Sequence, residues 1–68
     1  MDIDNTFTYH APFGTQQARY VAIREKAKEL AEVIVASSPA SAEQTLALRD
    51  IQRGVMMANA AIAINEKA

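Results

Sequence analysis

From residue 15 onward the apolar positions fall three and four apart in two separate stretches. Tyr20, Ile23, Ala27, Leu30 and Ile34 share one face of a first helix, and Leu48, Ile51, Val55, Ala58 and Ile62 share one face of a second. Between them the run SSPAS breaks the pattern, because the residue before Pro39 resists helical dihedrals and the serines favour turns and caps. This spacing predicts helices over about residues 15–36 and 42–65 with a turn at 37–41. A connection of about five residues forces the helices antiparallel. At roughly 1.5 Å of rise per residue, each would be about 30 to 35 Å long. The predicted fold class is therefore all-α, an antiparallel two-helix hairpin over residues 15–68.

The helix ends carry their own signals. Thr15, following Gly14, is placed to cap the first helix. Ser41 and Gln44 have the S-x-x-Q spacing of a capping box at the start of the second. Arg19, Glu25, Lys26, Glu29 and Glu32 lie off the apolar stripe and read as ordinary solvated surface.

Residues 1–14 precede the hairpin as a short extended arm. Phe7, Tyr9 and Ala11 alternate as they would on one face of an extended strand, so the arm can clip onto the hairpin as a hydrophobic strap. Tyr9, with His10 beside it, serves equally well as a stacking platform for a flat base. Local physics leaves both readings open.

Residues 54–64, GVMMANAAIAI, are apolar on every side except at Asn59. A helix that is hydrophobic all round must be covered all round, and one partner helix cannot do that. The small residues Gly54, Ala58, Ala60, Ala61 and Ala63 allow close approach of backbones, so the expected solution is a symmetric homo-oligomer with Gly54, Met57, Ala58, Ala61 and Ile62 at the interface. The plainer alternative is that Gly54 merely weakens the helix and Met56 and Met57 fill a core. Size favours assembly. With 68 residues, no cysteine and one histidine, neither disulfides nor metal ligation offers to supplement a marginal core.

Composition also removes function classes. The net charge of −1 lacks the basic footprint of a protein that binds DNA or RNA polymers, although a few well-placed cations suffice for a small anion. The apolar runs fall far short of the roughly 20 residues that span a bilayer, and no signal-peptide pattern opens the chain, so a cytosolic protein with no membrane partner is expected. His10 stands alone and the carboxylates sit at solvated positions, which predicts a binder with no catalytic residue, metal or cofactor. Among the charges, Arg24 follows the core position Ile23 and Lys28 lies one turn on. The two either converge on an anionic ligand or pair with neighbouring glutamates. Arg49 and Arg53 form a second basic pair in a more solvated setting. Asn59, the polar island, either fixes register and oligomer state or meets a ligand.

The residues YHAP, QARY and IR, followed by PAS and VMMANAAIA-x-NE, resemble the phage anti-CBASS proteins of the second type. These are small helical-hairpin sponges for cyclic oligonucleotides, and their domain is shared with a sponge acting against Thoeris defence. The resemblance spans about residues 6–66, and its most specific parts are TYH-x-P and MANAAIA-x-N. It implies a homohexamer that holds 3′,3′-cyclic dinucleotides such as cGAMP between protomers. An arm tyrosine stacks on a base and a helix-one cation meets phosphate, which correspond here to Tyr9 and Arg24. It further implies immune evasion in the cytoplasm of an infected bacterial host, by sequestration without cleavage. Some relatives hold cyclic trinucleotides in a second pocket near the threefold axes. They often carry Trp where this chain has Met57 and Arg where it has Ile64, so that arginine is missing here. The competing reading is an oligomeric helical protein-interaction module or small regulator with no nucleotide ligand.

Overall fold

Gly14 sets up the first helix. Its φ of +57° lies in the left-handed region that glycine enters without a Cβ penalty, and the turn closes with the Gln16 backbone N–H donating to the Phe13 carbonyl at 3.0 Å. Thr15 occupies the N-cap position but makes no side-chain capping bond. Its Oγ1 instead accepts from Arg19 Nε at 3.0 Å, so the expected Thr15 cap gives way to a side-chain pair one turn apart. The tether to the lead-in comes from Gln16, whose Oε1 accepts from the Phe13 backbone N–H at 3.2 Å.

The computed structural model describes residues 12–66 and consists of α1, Gln16–Ser37, packed on α2, Ala42–Asn65. No strand occurs among the described residues. Residues 1–11, which hold most of the expected arm with Tyr9 and His10, lie outside them.

The reversal between the helices is held by side chains. Ser38, extended at φ −133° and ψ 149° ahead of Pro39, ends α1 while its Oγ donates to the Ile34 carbonyl at 2.6 Å. Ser41 caps α2 through its Oγ, which accepts from the Gln44 backbone N–H at 3.1 Å. The other half of the predicted capping box is not formed. Gln44 Nε2 reaches across the turn to the Ser38 carbonyl at 2.9 Å and to Ser38 Oγ at 3.1 Å, because the tight reversal brings those acceptors closer to hand. Glu43 in the first turn adds a favourable charge at the helix N-terminus.

Two helices make a single layer, 13 Å in its thinnest dimension, and a single layer has no interior. Among the described residues no hydrophobic side chain is fully buried, and the one buried residue is Gln16, 3% exposed. Tyr20, Ile23, Ala27, Ala31 and Ile34 of α1 are half-buried, as are Leu48, Ile51, Val55, Ala58 and Ile62 of α2. Leu30 was expected in this seam and is 50% exposed. The step from Ala27 runs four residues to Ala31, whose small side chain suits close packing, and Leu30 is turned outward about 100° from it. Leu30 joins Val33, Val35, Leu46, Met56 and Met57 as apolar side chains exposed by half or more.

Candidate functional site

At the open end, Gln16 and Arg19 stand one turn apart on α1 and meet Glu66 just past α2. Arg19 donates from both terminal nitrogens, to Glu66 Oε2 at 2.6 Å and Oε1 at 2.7 Å, the bidentate geometry in which guanidinium matches carboxylate best. Gln16 Nε2 adds a bond to Glu66 Oε1 at 3.2 Å and approaches the Ile62 carbonyl at 3.5 Å. Hydrogen bonds from Arg19 and then Gln16 hold the Glu66 carboxyl down at about 2, from an ordinary value of 4.5, and the bond to Glu66 raises Arg19. Arg19 is thus no idle surface charge, as its spacing suggested. Its helical neighbours could not reveal a partner 47 residues away.

Beside this clasp lies a groove of about 480 Å³, within the roughly 300 to 1,000 Å³ of small-molecule sites. Gln17, Tyr20 and Arg24, successively three and four residues apart on α1, form one wall, and Asn59, Ala60 and Ala63 of α2 form the other. Alanines on α2 leave the width. Arg24 is exposed and makes no hydrogen bond or ion pair with another described residue. Asn59 Oδ1 is buried with no hydrogen-bond partner among the described residues. An orphaned acceptor of this kind carries a desolvation cost until a donor arrives.

Lys28 is exposed but lines a different depression, with Ala31, Glu32, Val35, Ala36 and Leu48. Arg24 and Lys28, one turn apart on α1, therefore line different depressions. Nor do these cations pair with glutamates among the described residues; the ion pair on that face is Lys26 to Glu29 at 3.3 Å. A third depression near the turn is lined mainly by apolar groups, including Val33, Ile34, Pro39 and Ala47. Arg49 and Arg53 are exposed and line none of these grooves.

Of the residues expected at an interface between copies, Gly54, Met57 and Ala61 are exposed, whereas Ala58 and Ile62 are half-buried along the seam. A Cβ built at Gly54 meets nothing within 4 Å, so the hairpin itself has no need of glycine there. Tyr9 and His10 lie outside the described residues. Sequence reasoning missed Gln17 and the groove-facing edge of Tyr20. The signal was present, since residues 17, 20 and 24 repeat at one helix face, but Tyr20 was absorbed into the apolar stripe.

Residues 1–63 match the family model for the Acb2/Tad1 hairpin domain. The chain belongs to that family. The match covers both groove walls and stops short of Glu66. Comparison with curated proteins and with solved structures returned no match. Acb2/Tad1 proteins are sponge-type binding proteins, and membership implies a cyclic-oligonucleotide ligand. Among the described residues no cluster of acidic, histidine or cysteine side chains could hold a metal ion, and no helix is long and apolar enough to cross a membrane.

Proposed function

We propose that this Acb2/Tad1 hairpin protein is a phage immune-evasion sponge. It binds 3′,3′-cyclic dinucleotides such as cGAMP in the cytoplasm of the infected host, withholds them from CBASS effectors, and releases them chemically unchanged. The observation that carries this reading is Arg24, which pairs with no described residue and lines a groove of about 480 Å³, in a chain whose family is one of sponges. A guanidinium offers paired donors to a phosphate, a geometry that a lysine ammonium cannot reproduce.

A cyclic dinucleotide has two bases and two phosphates related by an approximate twofold axis. Two copies of the hairpin, each contributing Arg24 and an arm tyrosine, Tyr9, answer that symmetry group for group. Two stacked bases at about 1 to 3 kcal/mol each and two charge-assisted contacts at about 1.5 to 3 kcal/mol each are enough for nanomolar binding in a preformed pocket. Sequestration needs affinity and no turnover. Self-association also answers the lack of fully buried hydrophobic side chains among the described residues, because another copy can cover Val33, Val35, Leu46, Met56 and Met57. The assembly is read as a hexamer through the family resemblance. A cyclic trinucleotide pocket would have to work without an arginine at Ile64.

Calorimetric titration of the full chain with 3′,3′-cGAMP, followed by heat denaturation and analysis of the recovered nucleotide, tests the proposal. Tight binding with intact ligand recovered is the expected result. Linear or mononucleotide products would make the protein an enzyme, and absence of binding would favour the protein-interaction module.

A further inference from the structure

The groove lies where a hairpin is loosest. Gln17, Tyr20 and Arg24 belong to the first turns of α1, and Asn59, Ala60 and Ala63 belong to the last turns of α2. Helix ends open most cheaply, and no hydrophobic side chain among the described residues is fully buried to hold these two together. Polar groups cross between them instead. Gln16 donates to the Glu66 carboxylate at 3.2 Å, and Arg19 donates to it twice, at 2.6 and 2.7 Å. We infer that Glu66 is a positioning residue for the groove: by gripping Gln16 and Arg19 it holds the two walls at the spacing a cyclic dinucleotide meets, without touching the ligand itself. The inference rests on the cyclic-dinucleotide reading above.

The clasp pins both walls from their immediate neighbours. Gln16 and Arg19 directly precede the wall residues Gln17 and Tyr20, and Glu66 stands three residues beyond Ala63. Gln16 is fixed at both ends of its amide, since Oε1 accepts from the Phe13 backbone N–H at 3.2 Å while Nε2 donates to Glu66, and it is the one buried residue among those described. The two parallel bonds from Arg19 fix direction as well as distance. Both side chains of this ion pair are nonetheless more than a third exposed, a setting in which a pair adds little to overall stability. Its effect is therefore expected in the shape of the groove more than in the survival of the fold. Walls set before the ligand arrives need no ordering on binding, and a groove competent only part of the time binds in proportion to that part.

Calorimetric titration of the full chain with 3′,3′-cGAMP, alongside sedimentation velocity and circular dichroism, compares the parent with Glu66→Ala and with the charge swap Arg19→Glu, Glu66→Arg. Glu66→Ala should stay folded and assembled yet bind about fivefold more weakly, as it would if the competent fraction fell to about a fifth. Charge by itself predicts the opposite sign, because removing a carboxylate favours an anionic ligand. The swap restores the pair with no change in net charge and should return to within about threefold of the parent, the recovery expected of residues coupled by contact. Binding by Glu66→Ala as tight as the parent's, or tighter, would overturn the positioning role, and so would a swap weaker than the single variant. Loss of folding or assembly in Glu66→Ala would make the clasp a stabilising element and overturn that role as well. Failure of the parent chain to bind 3′,3′-cGAMP would instead overturn the sponge reading itself.

Discussion

At its open end the hairpin is fastened by Gln16, Arg19 and Glu66, and beside them lies a groove with Arg24, Tyr20 and Asn59 on its walls. Toward the turn, Gln44 and Ser38 lock the reversal, but Val33, Val35 and Leu46 stand more than half exposed around it. At the polar end Gln16, Arg19 and Glu66 find partners within the chain. The apolar end finds too few. The described residues of the hairpin thus differ along its length, with side-chain hydrogen bonds and the Arg24 groove at the open end and exposed apolar side chains around the turn.

Charging the apolar end should break the molecule most severely. Val33→Lys combined with Leu46→Lys is expected to dissociate the assembly and, since no hydrophobic side chain among the described residues is fully buried, to unfold most of it. Sedimentation velocity together with circular dichroism measures both effects, and a stable folded monomer would show that the turn end needs no cover. At the other end, Arg24→Ala should leave the assembly intact and weaken cyclic-dinucleotide binding by about 1.5 to 3 kcal/mol per contact, most strongly at low salt. Arg24→Lys should fall between the variant and the parent because the charge remains while the fork of donors is lost.

Smaller effects sharpen the contrast. Gln44→Ala removes two hydrogen bonds across the turn and should lower stability by about 1 to 2 kcal/mol in chemical denaturation. Glu66→Gln should change mainly the acid limb. Because the folded-state carboxyl is lowered to about 2, its contribution is fully present above the ordinary value of 4.5 and is lost as pH falls toward 2. The parent should therefore lose stability across that window more steeply than the variant. The difference is expected to be small, since both side chains of the Arg19 to Glu66 pair are more than a third exposed.

The hairpin was legible from sequence because its signals are local. Three-and-four spacing, Pro39 and the Ser41 cap each act within a few residues, and α1 and α2 follow from them. What local spacing missed was decided across the chain. Arg19 finds Glu66 only when antiparallel packing brings the two ends together, and Gln44 turns to Ser38 only once the reversal exists. Leu30 against Ala31 was a choice between adjacent residues that hydrophobicity ranks wrongly, because the seam favours the smaller side chain. Arg24 could be singled out from its place beside Ile23. Its groove could not, because half of that groove belongs to α2 and Asn59 offered no periodicity to follow.

Native mass spectrometry of the full chain mixed with 3′,3′-cGAMP tests the central claim most directly, since one spectrum reports the assembly and the mass of what it holds. The account predicts an oligomer larger than a dimer that carries cyclic dinucleotide of unaltered mass. A monomer with no bound nucleotide, or an assembly that yields the hydrolysed linear product, would contradict it.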